Sequence, residues 1–161
     1  MRPSSFRAIL ALGTLLVIAA SATDAVQTDQ LLQSVSFEDV PVAEVREMPP
    51  SGPFVDGRIG PTGGTIFDPS SAALEPAIAY RFSLGHCGLH SPVDVDGSFW
   101  DAIDGVTPNG RPLDLGNDSE MINATAGVIV VIGDAARFRT DTGSVVRFAR
   151  HEGDKEFPGC M

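Results

Sequence analysis

The chain has 161 residues, a formal net charge of −10 and 43% hydrophobic residues. That apolar content suits one folded domain. So acidic a surface repels phosphate backbones and anionic lipid, which excludes nucleic acid and strong binding to an anionic membrane as expected partners.

In chain order, Arg2 and Arg7 precede an uncharged run from Ala8 to Thr23, rich in Leu, Ile, Val and Ala, and Ala20-Ser21-Ala22 supplies small residues. A basic start, an apolar middle and a small-residue site form the layout of a secretory signal peptide. The run is shorter than the ~20 residues that span a hydrocarbon core, so the expectation is a cleaved signal over 1–22, with Ala25 as an alternative cleavage site. Loss of Arg2 and Arg7 takes the net charge from −10 to −12. Localisation is then secreted or cell envelope, with an envelope or extracellular partner.

Residues 23–65 read as a flexible or loosely ordered N-terminal segment. Thr28 to Val35 offers two helical turns, too short to stand alone. Val40 to Thr65 carries Pro41, Pro49, Pro50, Pro53 and Pro61 with five glycines, so it forms few ladder hydrogen bonds. It reads as a linker or a long surface loop, with Phe54, Val55 and Ile59 as its apolar contacts to the core.

Residues 66–161 read as a small β-rich domain. Ile78, Tyr80, Phe82 and Leu84 alternate with Ala79, Arg81, Ser83 and Gly85, the period-two pattern of a half-buried strand. Gly85 and Gly88 bracket a sharp turn at His86-Cys87. Val93 to Val95 and Ser98 to Trp100 flank Asp96-Gly97, which suits a type I′ hairpin turn. Gly105 to Leu115 reads as a connection with a second turn at Asn109-Gly110. Val128 to Ile132 is apolar and β-branched, as expected of a strand buried on both faces.

Ala136, Phe138 and Thr140 alternate with Arg137 and Arg139, and Asp141-Thr142-Gly143 forms a loop before Ser144 to Phe148. If Thr140 pairs with Ser144, Phe138 faces Val146 and Ala136 faces Phe148. Arg137, Arg139 and Arg147 then share the other face. An arginine face of this kind serves solubility and edge protection, with a specific anionic ligand as the rival reading. The predicted fold class is mainly β: a small antiparallel sandwich or partly open barrel, preceded by a signal peptide and a Pro/Gly-rich segment.

Two cysteines in an exported chain predict one disulfide, Cys87 to Cys160, worth about 4 kcal/mol on the chain-entropy model. Free thiols or an intermolecular bond are the alternatives. His86, Cys87 and His90 are three potential zinc ligands within five residues. Their spacing matches no paired Cys/His pattern, the second half of a site would have to come from His151 and Cys160, and a disulfide would consume both thiols. Cys87 and His86 are poor nucleophile and base, because strand neighbours point to opposite faces; His90 is the better partner.

Asp94, Asp96, Asp101 and Asp104 suggest a calcium loop, but Gly97 directly follows the second Asp and no Glu comes in register. Trp100 reads as a core anchor, or as a stacking platform for a sugar. Asn117-Asp118-Ser119 and Asn123-Ala124-Thr125 fit the N-glycosylation pattern. No motif demands a cofactor.

The segment Arg81 to Gly88, containing His86-Cys87-Gly88, followed by Val95-Asp96-Gly97-Ser98-Phe99-Trp100, resembles a group of uncharacterised exported bacterial proteins with a His-Cys-Gly segment and an Asp-Gly-x-x-Trp hairpin. The likeness covers about 25 residues and, more loosely, Ala135 to Phe148. It implies export and a small domain, and carries no site residues. The expected function is therefore an exported, non-enzymatic β-domain, a binding or interaction module. The alternative is a zinc protein, structural or hydrolytic, using His86, Cys87 and His90. A third reading is calcium or carbohydrate binding by the aspartates and Trp100.

Overall fold

The computed structural model describes residues 45–53 and 55–159. The expected signal segment, the Thr28 to Val35 helix, Phe54 and Cys160 lie outside the described residues. Among the described residues, nine strands carry the fold: β1 (Arg58–Ile59), β2 (Thr65–Ile66), β3 (Ala79–Leu84), β4 (Asp94–Val95), β5 (Ser98–Val106), β6 (Thr125–Ile132), β7 (Ala135–Thr140), β8 (Val145–Arg150) and β9 (Glu156–Phe157). A 3₁₀ turn spans Gly88–His90, and a short helix, α1, spans Ser119–Ile122. The protein is mainly β, as expected. A curled six-stranded antiparallel half-barrel has the order β3-β6-β7-β8-β5-β4, and a small sheet has the order β1-β2-β9.

The β7–β8 hairpin forms with the register expected from its side-chain pattern. Ala136 faces Phe148, Phe138 faces Val146 and Arg137 faces Arg147. The Thr140 amide donates to the Ser144 carbonyl at 2.9 Å. Gly143 takes φ +95°, the left-handed conformation that a side chain would strain. The β4–β5 turn is also as expected, with Asp96 at φ +56° and Gly97 at φ +81°. β6 is buried on both faces: Ile129 and Val131 point into the main core, while Val128 and Val130 pack with Ala79 and Val45.

The concave side of the half-barrel is filled. Tyr80, Leu84, Trp100, Ile129, Phe138, Val146 and Phe148 interdigitate there, and Met121 of α1 closes the space. Phe82 meets the Phe138 ring edge-on at 5.6 Å. Leu74, Leu89, Leu113 and Leu115, from the loops, pack over this cluster.

The Pro/Gly-rich stretch is tied to the domain at two places. Arg46 makes a parallel bridge to Tyr80, donating to the Ala79 carbonyl at 2.9 Å and accepting from the Arg81 amide at 2.7 Å. Farther on, β1 and β2 pair with each other, and β2 pairs with β9. Val55 and Ile59 do not supply the core contacts expected of them: Ile59 is 74% exposed. Phe157 takes that role, with its ring 5.2 Å from Phe99 and 5.9 Å from Phe67. Among the described residues, no helix is long and apolar enough to cross a membrane.

Candidate functional site

The turn after β3 is built by its glycines. The Gly88 amide donates to the Gly85 carbonyl at 2.9 Å, and Cys87 is forced to φ +78°. A non-glycine residue in that region costs of order 1 kcal/mol. Gly88 is buried against α1, where a Cβ would lie 2.1 Å from the Met121 carbonyl oxygen. The 3₁₀ turn therefore docks on α1 and leaves His86 and His90 exposed, with Cys87 half-buried. Together with Gly116, Ile122, Asn123 and Gly159 these three residues line a shallow cavity of about 400 Å³.

The three predicted ligands thus share one cavity. Among the described residues, however, no three His, Cys, Asp or Glu side chains are grouped so as to hold a metal ion. His151, the proposed far half of such a site, is engaged elsewhere. Its Nδ1 lies 2.7 Å from Asp101 Oδ2 and its Nε2 lies 3.3 Å from the Asp154 carbonyl. Among the described residues there is no free cysteine.

The four aspartates do not form a calcium loop. Asp94 accepts from the Ser70 and Ser71 amides at 2.5 and 3.0 Å and from the Ser71 hydroxyl, and so holds the preceding loop onto the hairpin. Asp96 accepts from the Trp100 indole at 3.0 Å and from Arg150 at 2.8 Å. Asp101 accepts from Lys155 at 2.6 Å on its other oxygen. Asp104 accepts from Arg147 Nε at 2.7 Å. Each carboxylate thus meets a different partner from a distant part of the chain.

These contacts set the protonation states. Partial burial pushes the Asp101 carboxyl up, but hydrogen bonds from Lys155 and His151 outweigh it and hold the group below the usual carboxylate range. The Arg147 hydrogen bond likewise holds Asp104 low against its partial burial.

Trp100 is a core anchor rather than a platform: it is fully buried, its indole also donates to the Val95 carbonyl at 3.0 Å, and the Arg150 guanidinium lies 4.5 Å above its ring. Arg150 is in turn fixed by Asp134 at 2.9 Å and by the Gly133 carbonyl at 3.0 Å. Desolvation and a cation over the ring make this a rigid stack.

A second polar centre has no counterpart in the sequence reading. Glu120 of α1 accepts from Ser144 Oγ at 2.6 Å and from the Thr142 hydroxyl. Thr140 and Thr142 hydroxyls lie 2.8 Å apart, and the Ser144 amide donates to Thr140 Oγ1 at 3.0 Å. Burial pushes the Glu120 carboxyl up, yet the hydroxyl donors of Ser144, Thr140 and Thr142 prevail and keep it low. The carboxylate ties α1 to the β7–β8 loop and borders an open depression with Thr107, Pro108 and Asn123. The partners are 22 and 24 residues apart, so the only available signal was the hydroxyl-rich Thr140-x-Thr142-x-Ser144 spacing. No family model, curated protein or solved structure matches the chain.

Proposed function

We propose that the protein is an exported, disulfide-stapled β-domain that works by binding a partner and does not turn over a substrate. The observation that carries this reading is the dispersal of its titratable side chains. Asp94, Asp96, Asp104 and Glu120 are each committed to a different hydroxyl, amide or cation, and Asp101 is shared by Lys155 and His151 away from the others. Acid–base or nucleophilic catalysis needs such groups to converge on one reacting atom. The filled concave face supports recognition on the outer surface. The absence of a free cysteine among the described residues supports pairing of Cys87 with Cys160.

The test is the intact mass of the exported full-length product, unreduced and denatured, with and without a thiol-alkylating reagent. The expected result is a monomer lacking residues 1–22 with no alkyl group added. Addition of two alkyl groups would instead favour the rival: a zinc site at His86, Cys87 and His90, for which their shared cavity is the specific observation. Stoichiometric zinc, lost in His90→Ala, would establish that rival. Substrate turnover lost in His86→Ala or His90→Ala would overturn the binding reading.

A further inference from the structure

β3 is an edge strand of the six-stranded sheet, and only half of that edge is covered. The Arg46 amide donates to the Ala79 carbonyl there, and the Arg46 carbonyl accepts from the Arg81 amide. The Arg81 amide therefore points away from β6. In an antiparallel pair, residues alternate between bonded and unbonded to the neighbouring strand. The Arg81 carbonyl and both backbone groups of Ser83 thus point outward as well. β6 agrees: Ala126, opposite Ser83, turns its carbonyl to the Asp141 amide on the β7 side at 2.9 Å. Continued pairing after Arg46 would call on the amide of Met48 and then on residue 50, a proline without an N–H. Among the described residues, no backbone group meets the Ser83 amide or the two outward carbonyls.

Open edges normally carry a device against pairing, such as a proline, a charge or a bulge. Phe82 to Leu84 carries none: its register with β6 is unbroken, and its outward side chain is an exposed serine. A groove of about 640 Å³ borders this stretch, with Met48, Pro49 and Phe82 as its apolar wall. Four charged residues also line it. Arg81 and Asp141 answer each other at 2.8 Å. Glu47 is exposed, and Asp94 is held by the amides and hydroxyls of Ser70 and Ser71. Among the described residues, neither of these two carboxylates meets a cation.

We propose that this half-open edge takes up an extended segment of a basic partner protein as an added strand. Arg46 is the internal precedent, since the same edge already holds an extended piece of the chain itself. Ser83 supplies a donor and an acceptor, and Arg81 a second acceptor. Main-chain bonds of this kind give affinity, and flanking pockets choose the side chains. The apolar wall seats an aliphatic side chain, and the carboxylates of Glu47 and Asp94 favour a lysine or arginine beside it. The chain's net charge of −10 draws in a basic partner and repels an acidic one. The inference rests on the reading of the domain as a binding module and names the chemistry of its partner.

The test uses the full exported chain and two acetylated, amidated peptides, Thr-Val-Lys-Val-Thr and Thr-Val-Glu-Val-Thr, at matched ionic strength. Backbone amide signals are followed by NMR. With the lysine peptide, a saturable shift and slowed hydrogen exchange are expected at the Ser83 amide. The glutamate peptide should bind about fivefold more weakly or worse. Ser83→Pro should fold, because an edge strand tolerates proline where the amide faces out. It should weaken the lysine peptide about tenfold, the loss of one hydrogen bond. Glu47→Gln, at an exposed position, should weaken it about twofold to fivefold, and serves alone if Ser83→Pro does not fold.

Shifts that do not saturate, equal affinity for the two peptides, or parent affinity in both variants overturn the proposal. Dimerisation that protects the Ser83 amide and is lost in Ser83→Pro would put a second copy on the edge, and overturns it too. In each case the binding-module reading still stands. That reading falls to substrate turnover lost in His86→Ala or His90→Ala.

Discussion

The two faces of the six-stranded sheet are made by alternate residues of the same strands, yet they do different work. On the concave face Phe138 meets Val146 and Ala136 meets Phe148, all within a closed core. On the convex face Arg137 meets Arg147, and Arg139 lies beside Val128 and Val145. The first face supplies the main core; the second carries arginines beside a smaller apolar cluster of Ala79, Val128, Val130 and Val45. The largest buried side chains therefore lie on one side of these strands.

The largest test of this division is Trp100→Ala. Removing a fully buried ring that also anchors Arg150 and Asp96 should cost about 3–5 kcal/mol in urea denaturation. A loss under about 1 kcal/mol, the scale of an ordinary surface substitution, would show that the concave face is not the source of stability. Next comes Gly127→Ala, on the concave side of β6. Its Cβ would lie 2.1 Å from the Arg139 carbonyl oxygen and 2.6 Å from the Phe138 ring, so overpacking should cost about 1–3 kcal/mol. Wild-type melting in this variant would contradict the close approach of β6 to β7.

Acid titration probes the rim between the faces. The folded-state pKa of Asp104 and that of Asp101 are lowered. Their stabilisation is thus fully present above the unfolded carboxylate value of about 3.9 and is lost as pH falls through the folded values. Stability should decline below about pH 4, and Asp104→Asn should flatten that decline. An unchanged acid limb would argue that the Arg147 pair contributes nothing.

The smallest expected effect is that of Arg137→Gln. In low salt it should leave stability within about 0.5 kcal/mol of the parent or raise it slightly, because Arg147 lies directly across from it. A loss well above 1 kcal/mol would make this arginine structural and erase the distinction between the faces.

What was legible in the sequence follows the same physics. The β7–β8 hairpin was readable because two independent signals agreed: a loop with Gly143 at its left-handed position, and alternation that put Phe138 and Val146 on one face. β5 was read as ending near Trp100 but continues to Val106. The reason is a bulge between Ala102 and Asp104, which leaves Ile103 outside the alternation and 58% exposed. Two-residue strands such as β1, β2 and β9 have no period to read. Of the candidate site, the nearness of His86, Cys87 and His90 was visible because the turn is local. The fates of the aspartates were not, because Lys155, His151, Arg147 and Arg150 reach them from some 40 to 55 residues away. The Glu120 centre was hidden for the same reason.

The order of strands in the sheet has a consequence for a chain that emerges N-terminus first, from a ribosome or through a membrane pore. β3 pairs with β6, and β5 pairs with β8, so each early strand appears well before its partner. β5 must wait, with Trp100 uncovered and one edge open, until Arg150 has cleared the exit. The β2 edge waits longer still, for Glu156 and Phe157. Loop closure of this reach slows folding, and open edges invite pairing with other chains. The half-made molecule is thus the sticky form, and the arrival of Arg150 to Phe157 decides how long it stays so.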